Sequence, residues 1–253
     1  MRLQRFINEG RSKSIPIEIA VETIKNKCTD FIKNGSIVYR GVYDSRDAAL
    51  IVSPANFERK SRNTSNYYTL LMDNLPAWQN YPKRSKSIIC TTNLNYANDM
   101  GESYRVFSYD GSKIGVCPDD DLWASFGLDI HSLETFNDSI GIMMDNFTDY
   151  SEDDIHTYND LLKLFDKFDD HKSGFNIDRD SLPVYFNFKL FEPYFETDVK
   201  LIDFAEEIFD PKRHKFKLEN TKTFKNVTFR EVWTDGTSIL LNSKIADDAM
   251  KSF

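Results

Sequence analysis

The sequence of 253 residues contains few cysteines and few histidines, which limits the sites that it can build. Cys28, Cys90 and Cys117 are odd in number and have no close paired spacing, so neither a disulfide framework nor a zinc site is indicated. The four histidines, at positions 131, 156, 171 and 214, are too scattered for metal-ligand spacing. We therefore expect a protein without a bound metal, in a reducing compartment such as the cytoplasm.

Long apolar segments are also missing. The longest uninterrupted apolar run covers only residues 48–52, far short of the roughly 20 residues that a membrane-spanning helix needs. No apolar segment follows the basic residues near the N-terminus, as a secretory signal would require. Because 28% of the residues are charged and 40% are hydrophobic, the composition is typical of a globular protein. We expect no membrane partner.

The net charge of −8 is unevenly distributed along the chain. Residues 119–170 contain fifteen acidic side chains and two lysines, a local charge of −13, whereas residues 1–118 carry a charge of +6. The N-terminal part could therefore attract an anionic ligand that the middle part would repel. No RRM, zinc-finger or basic-region motif indicates nucleic acid as that ligand.

Apolar patterns predict an N-terminal helix followed by strands. Apolar residues recur at helical spacing over residues 17–32. Two runs rich in β-branched residues, 36–42 and 86–93, predict strands. The first carries Arg40 in an otherwise apolar setting, and the second ends in small hydroxyl and thiol side chains. A strand that becomes polar at its end usually does so over a cleft.

Two Asp-Gly pairs predict β-hairpins. Asp110-Gly111 joins apolar runs at 104–107 and 113–116, and Asp235-Gly236 lies between two strands predicted within residues 227–241. Asp-Gly between alternating apolar runs is a strong local signal for a hairpin turn.

The acidic part of the chain is predicted to be helical. Helices are expected near 131–144, 154–168 and 197–209, where phenylalanines recur at intervals typical of a core. Together they predict an acidic helical insertion at about 128–215.

Residues 169–180 resemble an EF-hand calcium loop that follows a helix. Three positions are wrong for calcium: His171 replaces an oxygen ligand, Asn176 replaces an apolar residue and Asp180 replaces the usual bidentate Glu. We therefore expect a connection between helices rather than a calcium site.

Residues 63–68, which follow the basic residues Arg59, Lys60 and Arg62, predict a polar loop that ends in two tyrosines. One interpretation is a solvated surface loop. The other is a loop that covers a bound nucleotide with Arg62, Asn63 and the tyrosine pair, Tyr67 and Tyr68.

Three strands in this order resemble the ADP-ribosyltransferase superfamily, specifically its Arg–Ser–Glu toxin-like branch. They are an apolar strand carrying Arg40, a strand ending in Thr91-Thr92 and a strand opening with Glu231. The run of segments is also similar to chains of tailed bacteriophages. The resemblance implies an α+β fold, an ADP-ribosyltransferase-like split β-sandwich with flanking helices, in a single domain over residues 1–253 with the helical insertion.

The resemblance also implies that NAD is the substrate. Cleavage of the bond between nicotinamide and ribose passes through a transition state with positive charge on the sugar, which the Glu231 carboxylate would stabilise. The planar guanidinium of Arg40 would bind the pyrophosphate or the nearby ribose. Hydroxyls of the second strand, those of Thr91, Thr92 and Ser87, would orient both the ribose and the catalytic acid. The residues expected to bind NAD are Arg40, Gly41, Ser87, Thr91, Thr92, Arg62, Asn63 and Tyr67.

Two positions depart from the family pattern. Cys90 stands where the family has the first Ser of its Ser-Thr-Ser strand, and a thiol is a weak hydrogen-bonding group. Phe229 stands where arginine-modifying members have a second Glu. We therefore expect an acceptor other than arginine.

Three functions are compatible with this pattern. The first is a mono-ADP-ribosyltransferase that modifies a macromolecular acceptor, either protein or nucleic acid, in the cytoplasm of a bacterial host. The second is an NAD glycohydrolase. The third is a non-enzymatic phage structural or binding protein that retains the fold, for which neither Arg40 nor Glu231 would matter.

Overall fold

A computed structural model describes residues 12–57, 59, 65–127, 133–172, 188–225 and 227–251. Its strands are β1 (Lys13–Ser14), β2 (Tyr39–Val42), β3 (Ala49–Val52), β4 (Ile88–Thr91), β5 (Glu102–Ser108), β6 (Lys113–Val116), β7 (Lys217–Asn220), β8 (Glu231–Thr234) and β9 (Ser238–Asn242). Its α-helices are α1 (Ile17–Lys27), α2 (Thr29–Asn34), α3 (Tyr67–Asn74), α4 (Leu94–Asp99), α5 (Leu122–Ser125), α6 (Leu133–Phe147), α7 (Tyr158–His171), α8 (Phe188–Glu196), α9 (Leu201–Ile208) and α10 (Ser243–Lys251). Short 3-10 helices cover Pro54–Asn56, Pro76–Trp78, Arg84–Lys86 and Glu152–Asp154.

The chain forms two compact units. The first comprises Met1–Arg62, Asn80–Leu122 and Lys215–Phe253, and the second comprises Asn63–Gln79 and Trp123–His214. All the strands listed above belong to the first unit. The predicted α+β class is confirmed. None of the described helices is long and apolar enough to cross a bilayer.

The first unit contains an antiparallel sheet with the strand order β1-β3-β9-β5-β2-β4-β8-β6-β7. Between β2 and β4 a single residue pair, Tyr39 with Thr91, joins the strands, whereas the other neighbours share two to five pairs. The sheet is therefore two half-sheets, β1-β3-β9-β5-β2 and β4-β8-β6-β7, which separate where β2 leaves β4.

Both predicted Asp-Gly hairpins are wrong. The Asp110-Gly111 turn follows β5, which pairs with β2 and β9, and leads into β6, which pairs with β7 and β8. The Asp235-Gly236 turn likewise connects β8 to β9, which belong to different half-sheets. Each turn is as tight as predicted, but its two strands pair with distant segments instead of with each other.

The two turns lie against each other. The Lys113 amide donates to Asp235 Oδ1 at 3.0 Å, and the Tyr109 amide donates to the Thr237 carbonyl at 2.9 Å. A Cβ on Gly236 would lie 1.8 Å from Ser112 Oγ, so only glycine permits this approach.

The half-sheets face each other across one apolar core. In a flat sheet β5 and β6 would lie four strand spacings apart, about 19 Å. The four residues that join them are folded into a turn and cannot span that distance. One cluster of buried side chains accordingly contains residues of both half-sheets and of α1, including Ala20, Ile24, Val38, Val106, Ile88, Cys90, Ile114 and Val232.

The helix predicted over residues 17–32 is two helices, α1 and α2. Cys28 interrupts them with φ −122° and ψ 35°. Its thiol donates to the Phe107 carbonyl at 3.4 Å and fixes the break against the sheet. Gly35 ends α2 with φ 61°, a left-handed conformation that favours glycine.

The described part of the second unit is helical, with a core of aromatic side chains. The helices predicted near 131–144, 154–168 and 197–209 correspond to α6, α7 and α9. A capping box between Thr157 and Asp160 fixes the start of α7. The pattern did not predict α8, which contains Pro193.

Gly41 allows α4 to pack closely on β2, so we expect Gly41→Ala to destabilise the protein. A Cβ at this position would lie 2.3 Å from the Ala97 carbonyl oxygen and 2.6 Å from Met100 Cβ. Overpacking of this kind costs about 1–3 kcal/mol, measurable by urea denaturation. The matched control is Gly141→Ala in α6, where nothing lies within 4 Å of the added Cβ. It should stabilise the protein by about 0.5–1 kcal/mol, and equal effects of the two changes would contradict the packing argument.

Candidate functional site

The candidate site is built on the first residue of β8. Glu231 pairs with Thr91 of β4, and Trp233 pairs with Ile89. Directly opposed residues project to the same face and alternate residues share a face, so Glu231, Trp233 and Thr91 lie on one side of the half-sheet. Val232 projects to the other side, into the core.

The Glu231 carboxylate is held on both oxygens. Arg84 Nη2 donates to Oε1 at 2.5 Å, and the Leu122 amide approaches Oε2 at 3.4 Å. The side chains of Arg84 and Glu231 are only 6% and 11% exposed, so this is a buried ion pair. The Glu231 backbone is fixed as well, because its amide donates to the Asp119 carbonyl at 3.1 Å.

Arg84 was not among the predicted site residues. It begins the 3-10 helix Arg84–Lys86, which immediately precedes the motif strand, and its guanidinium lies 5.6 Å from the centre of the Trp233 ring. The indole is fixed in turn, since Nε1 donates to the Pro82 carbonyl at 2.8 Å. The sequence signal at this position was the basic pair Lys83-Arg84 after Pro82, and it did not indicate that Arg84 would pair with Glu231.

The predicted hydroxyls make backbone contacts. Ser87 Oγ donates to the Lys83 carbonyl at 2.7 Å, and Thr91 Oγ1 accepts from the Asn93 amide at 3.1 Å. Thr92 Oγ1 accepts from the Arg230 amide at 2.9 Å and ties the end of β4 to the start of β8. Of these residues, Thr91 lies directly opposite Glu231.

Cys90 faces away from Glu231. It pairs with Val232 and belongs to the apolar core. Burial raises the pKa of its thiol to about 12, despite the opposing effect of Arg40. The residue that aligns with the family's first Ser therefore cannot orient the carboxylate in this arrangement.

Arg40 lies where the two half-sheets separate. Its guanidinium donates through Nη1 to the Ile89 carbonyl of β4. Burial, together with the nearby charge of Arg59, lowers its pKa to about 10, so the group stays charged at neutral pH. Because Tyr39 is the residue opposite Thr91, strand alternation directs Arg40 toward the opposite face, that of Cys90. The predicted residues therefore divide between the two faces.

The remaining predicted ligands have different positions. Gly41 packs against α4, as described above. Tyr67 is 2% exposed at the start of α3, where its hydroxyl lies 3.9 Å from Met144 Sδ. The prediction that Tyr67 belongs to a loop is therefore wrong, because Tyr67 begins a helix and lies in the core of the second unit. Arg62 and Asn63 lie outside the described residues.

Tyr96, which the sequence did not indicate, lies close enough to Glu231 for the charge of the carboxylate to act on its phenol. Burial and the charges of Asp121 and Glu231 raise the pKa of its phenol to about 12. The hydroxyl is therefore protonated at neutral pH and can donate a hydrogen bond. Asn93 positions Tyr96 by capping α4, with its side-chain oxygen accepting from the Tyr96 amide at 3.4 Å.

Phe229 precedes Glu231 in an unusual conformation. Its φ of 53° lies in the left-handed region, which a bulky residue rarely adopts, and 59% of the residue is exposed. Arg230 Nη1 donates to the Phe229 carbonyl at 2.9 Å. An apolar ring is thus presented to solvent two residues before the carboxylate.

The EF-hand-like stretch is only partly described. Asp169 and His171 belong to α7, while Ser173, Gly174 and Asp180 lie outside the described residues. Asp169 Oδ1 accepts from the Leu201 amide at 2.9 Å and from the Tyr194 hydroxyl at 3.0 Å. Over the described ranges, His, Cys, Asp and Glu side chains form no group of three or more that could hold a metal.

Comparison with known proteins gives no relative. No protein-family model, no curated protein and no solved structure matches the chain. We therefore infer the function from the site itself.

We expect Glu231→Gln to destabilise the fold, because Gln would leave the buried Arg84 without its counter-charge. Removal of one partner of a buried ion pair typically costs about 3–5 kcal/mol, measurable by urea denaturation. The control is Asp247→Asn, which removes the 81% exposed partner of Arg105 and should have little effect. A Glu231→Gln variant as stable as the wild type would show that the ion pair does not support the fold.

The three cysteines are buried, so we expect the native protein to react slowly with a thiol reagent at pH 8. The pKa values of Cys28 and Cys90 are both raised to about 12, which keeps these thiols protonated and unreactive at that pH. Labelling should rise to three thiols per chain in 6 M guanidinium. Rapid labelling of the folded protein at Cys90, identified by mass spectrometry, would contradict the orientation of that residue into the core.

Proposed function

We propose that the protein is a mono-ADP-ribosyltransferase that uses NAD to modify a macromolecular acceptor in a bacterial cytoplasm. One observation carries the proposal: the strands with Arg40, Thr91 and Glu231 are consecutive neighbours, β2, β4 and β8, in the sheet. Arg40 and Thr91 are 51 positions apart along the chain, and Thr91 and Glu231 are 140 positions apart, yet their strands are neighbours in the sheet. The sequence resemblance alone did not require this adjacency.

The architecture of the first unit supports the same proposal. Two half-sheets face each other across one core and separate between β2 and β4. This arrangement is what an ADP-ribosyltransferase-like split β-sandwich would require. Arg40 lies at the separation, where a ligand could reach it from the gap between the strands.

The charges suit the parts of NAD. A pyrophosphate would bind near Arg40, and Arg59 lies close enough to lower its pKa, so the region carries two cationic side chains. A ribose next to Glu231 would place its developing positive charge beside a carboxylate. The protonated Tyr96 hydroxyl could donate to the same substrate. Because the side chains of Arg40 and Glu231 project from opposite faces of the sheet, one NAD molecule would have to pass around the end of β4 to contact both.

Transfer to an acceptor is favoured over simple hydrolysis by Phe229. Its exposed ring lies only two residues before Glu231 in the chain and is free to contact an acceptor that approaches the carboxylate. An exposed aromatic ring in a strained backbone conformation is a common feature of recognition sites. Because an apolar ring does not recognise a guanidinium as a second carboxylate would, arginine is not the proposed acceptor.

A non-enzymatic binding protein is the second candidate. Glu231 has a structural partner in Arg84, and Arg40 has one in the Ile89 carbonyl. Both motif residues could therefore serve the fold alone. An assay of activity separates the two candidates.

The test is incubation of the protein with labelled NAD and bacterial lysate, followed by mass spectrometry of the modified species. We expect Glu231→Asp to remain folded, since it keeps the charge that Arg84 needs, and to lose roughly 100-fold in turnover because the carboxylate is withdrawn by one methylene. Arg40→Lys should weaken NAD binding in calorimetry, since an ammonium cannot reproduce bidentate contacts to phosphate.

Three results would contradict the proposal. NAD that stays intact would favour the binding protein, and NAD that is hydrolysed without modification of any lysate component would favour the glycohydrolase. Wild-type turnover by Glu231→Asp would remove Glu231 from the site. Agmatine, an arginine mimic, should not be modified.

A further inference from the structure

We infer that Arg84 is the positioning residue for the Glu231 carboxylate, a role that the resemblance assigned to hydroxyls of the second motif strand. The inference rests on the proposed function and adds a residue to it. It predicts that the guanidinium acts on turnover through Glu231 and does not itself contribute to NAD binding.

The hydroxyls have other hydrogen-bond partners. Ser87 bonds to the Lys83 carbonyl, Thr91 to the Asn93 amide and Thr92 to the Arg230 backbone. Cys90 faces the core. Over the part of the chain that the structure describes, the charged side chain that hydrogen-bonds to the carboxylate is that of Arg84, at 2.5 Å.

The guanidinium is itself rigidly supported. Glu231 and Trp233 project from the same face of β8, and Arg84 contacts both, with its charge 5.6 Å from the indole centre. The indole is fully buried and occupies the space left by Gly115, where a Cβ would lie 2.2 Å from the ring. Nε1 of the indole is bound to the Pro82 carbonyl, two residues before Arg84. The position of Arg84 therefore follows from the packing of Trp233.

The arrangement leaves the carboxylate usable. An ionised carboxylate has about four lone-pair sites, and Arg84 and the Leu122 amide occupy two of them. About two sites remain for a ribose hydroxyl. Since two donors bind different oxygens, the plane of the carboxylate is fixed before substrate arrives, which is the preorganisation that electrostatic catalysis needs.

The experiment compares Arg84→Lys with Arg105→Lys in the full chain. Arg105 is a matched control because it is also mostly buried, is paired with a carboxylate, Asp247, at 3.4 Å and lies 5.1 Å from an aromatic ring, that of Phe107. It lies on β5, three strands away from β8. Lysine keeps the charge in both variants but loses the planar fork.

We expect Arg84→Lys to lower kcat for NAD cleavage roughly 10- to 100-fold while KM for NAD changes less than 2-fold, because a displaced carboxylate loses far more interaction with the cationic sugar of the transition state than with the neutral ribose of the bound substrate. Arg105→Lys should leave both constants unchanged. In a Glu231→Asp background, Arg84→Lys should lower kcat little further, since the two residues act as one unit.

Several results would overturn the inference. Full kcat in Arg84→Lys would do so, and so would a rise in KM alone, which would make Arg84 a substrate ligand. Full additivity with Glu231→Asp would mean that Arg84 acts independently. If thermal melting shows that Arg84→Lys does not fold, Trp233→Phe replaces it as the test. We expect the same loss of kcat, because the smaller ring would support the Arg84 guanidinium less firmly. Wild-type kcat in Trp233→Phe would then contradict the inference. Absence of NAD cleavage by the wild type would overturn the proposed function, and this inference with it.

Discussion

The separation of β2 from β4 is the constraint on which the first unit depends. One residue pair joins these strands, so the sheet folds into two facing halves with a single core between them. The separation leaves Arg40 paired with β5 on one edge of β2 and next to the single-pair junction with β4 on the other. It also leaves β4 paired with β8 along residues 88–91. Thr91, the last residue of β4, therefore lies beside Glu231, the first residue of β8. The candidate site is a consequence of this geometry.

Much of the local structure was predictable, whereas the pairing was not. The strand at 113–116 and the helices α6, α7 and α9 follow from composition and period, which are properties of neighbouring residues. Asp110-Gly111 and Asp235-Gly236 correctly indicate tight turns. Their strands nevertheless enter different half-sheets, because burial of both apolar faces in one core outweighs pairing with the nearest strand. A turn signal contains no information about that choice.

The site shows the same division between local and distant information. The sequence located Arg40 within one strand, Thr91 near the end of a second and Glu231 at the start of a third, but the faces to which they project depend on register, which pairs residues 140 positions apart. Arg84 and Tyr96 were missed for this reason. Each is ordinary in its local sequence, and its proximity to Glu231 follows from how β8 pairs in the sheet. The aligned cysteine looked like a substituted ligand, and register makes it a core residue.

The position of β8 and β9 has a consequence for how the protein is assembled. β9 lies between β3 and β5 in one half-sheet, and β8 lies between β4 and β6 in the other. Each half-sheet therefore becomes continuous only when a strand from residues 231–242 is added. More than a hundred residues separate each of these two strands from its neighbours in the sheet. Contacts of such long range make folding slow, and a nascent chain would expose the inner edges of both half-sheets until β8 and β9 have left the ribosome. The carboxylate at the centre of the candidate site therefore cannot reach its place until β8 has been synthesised and has paired with β4.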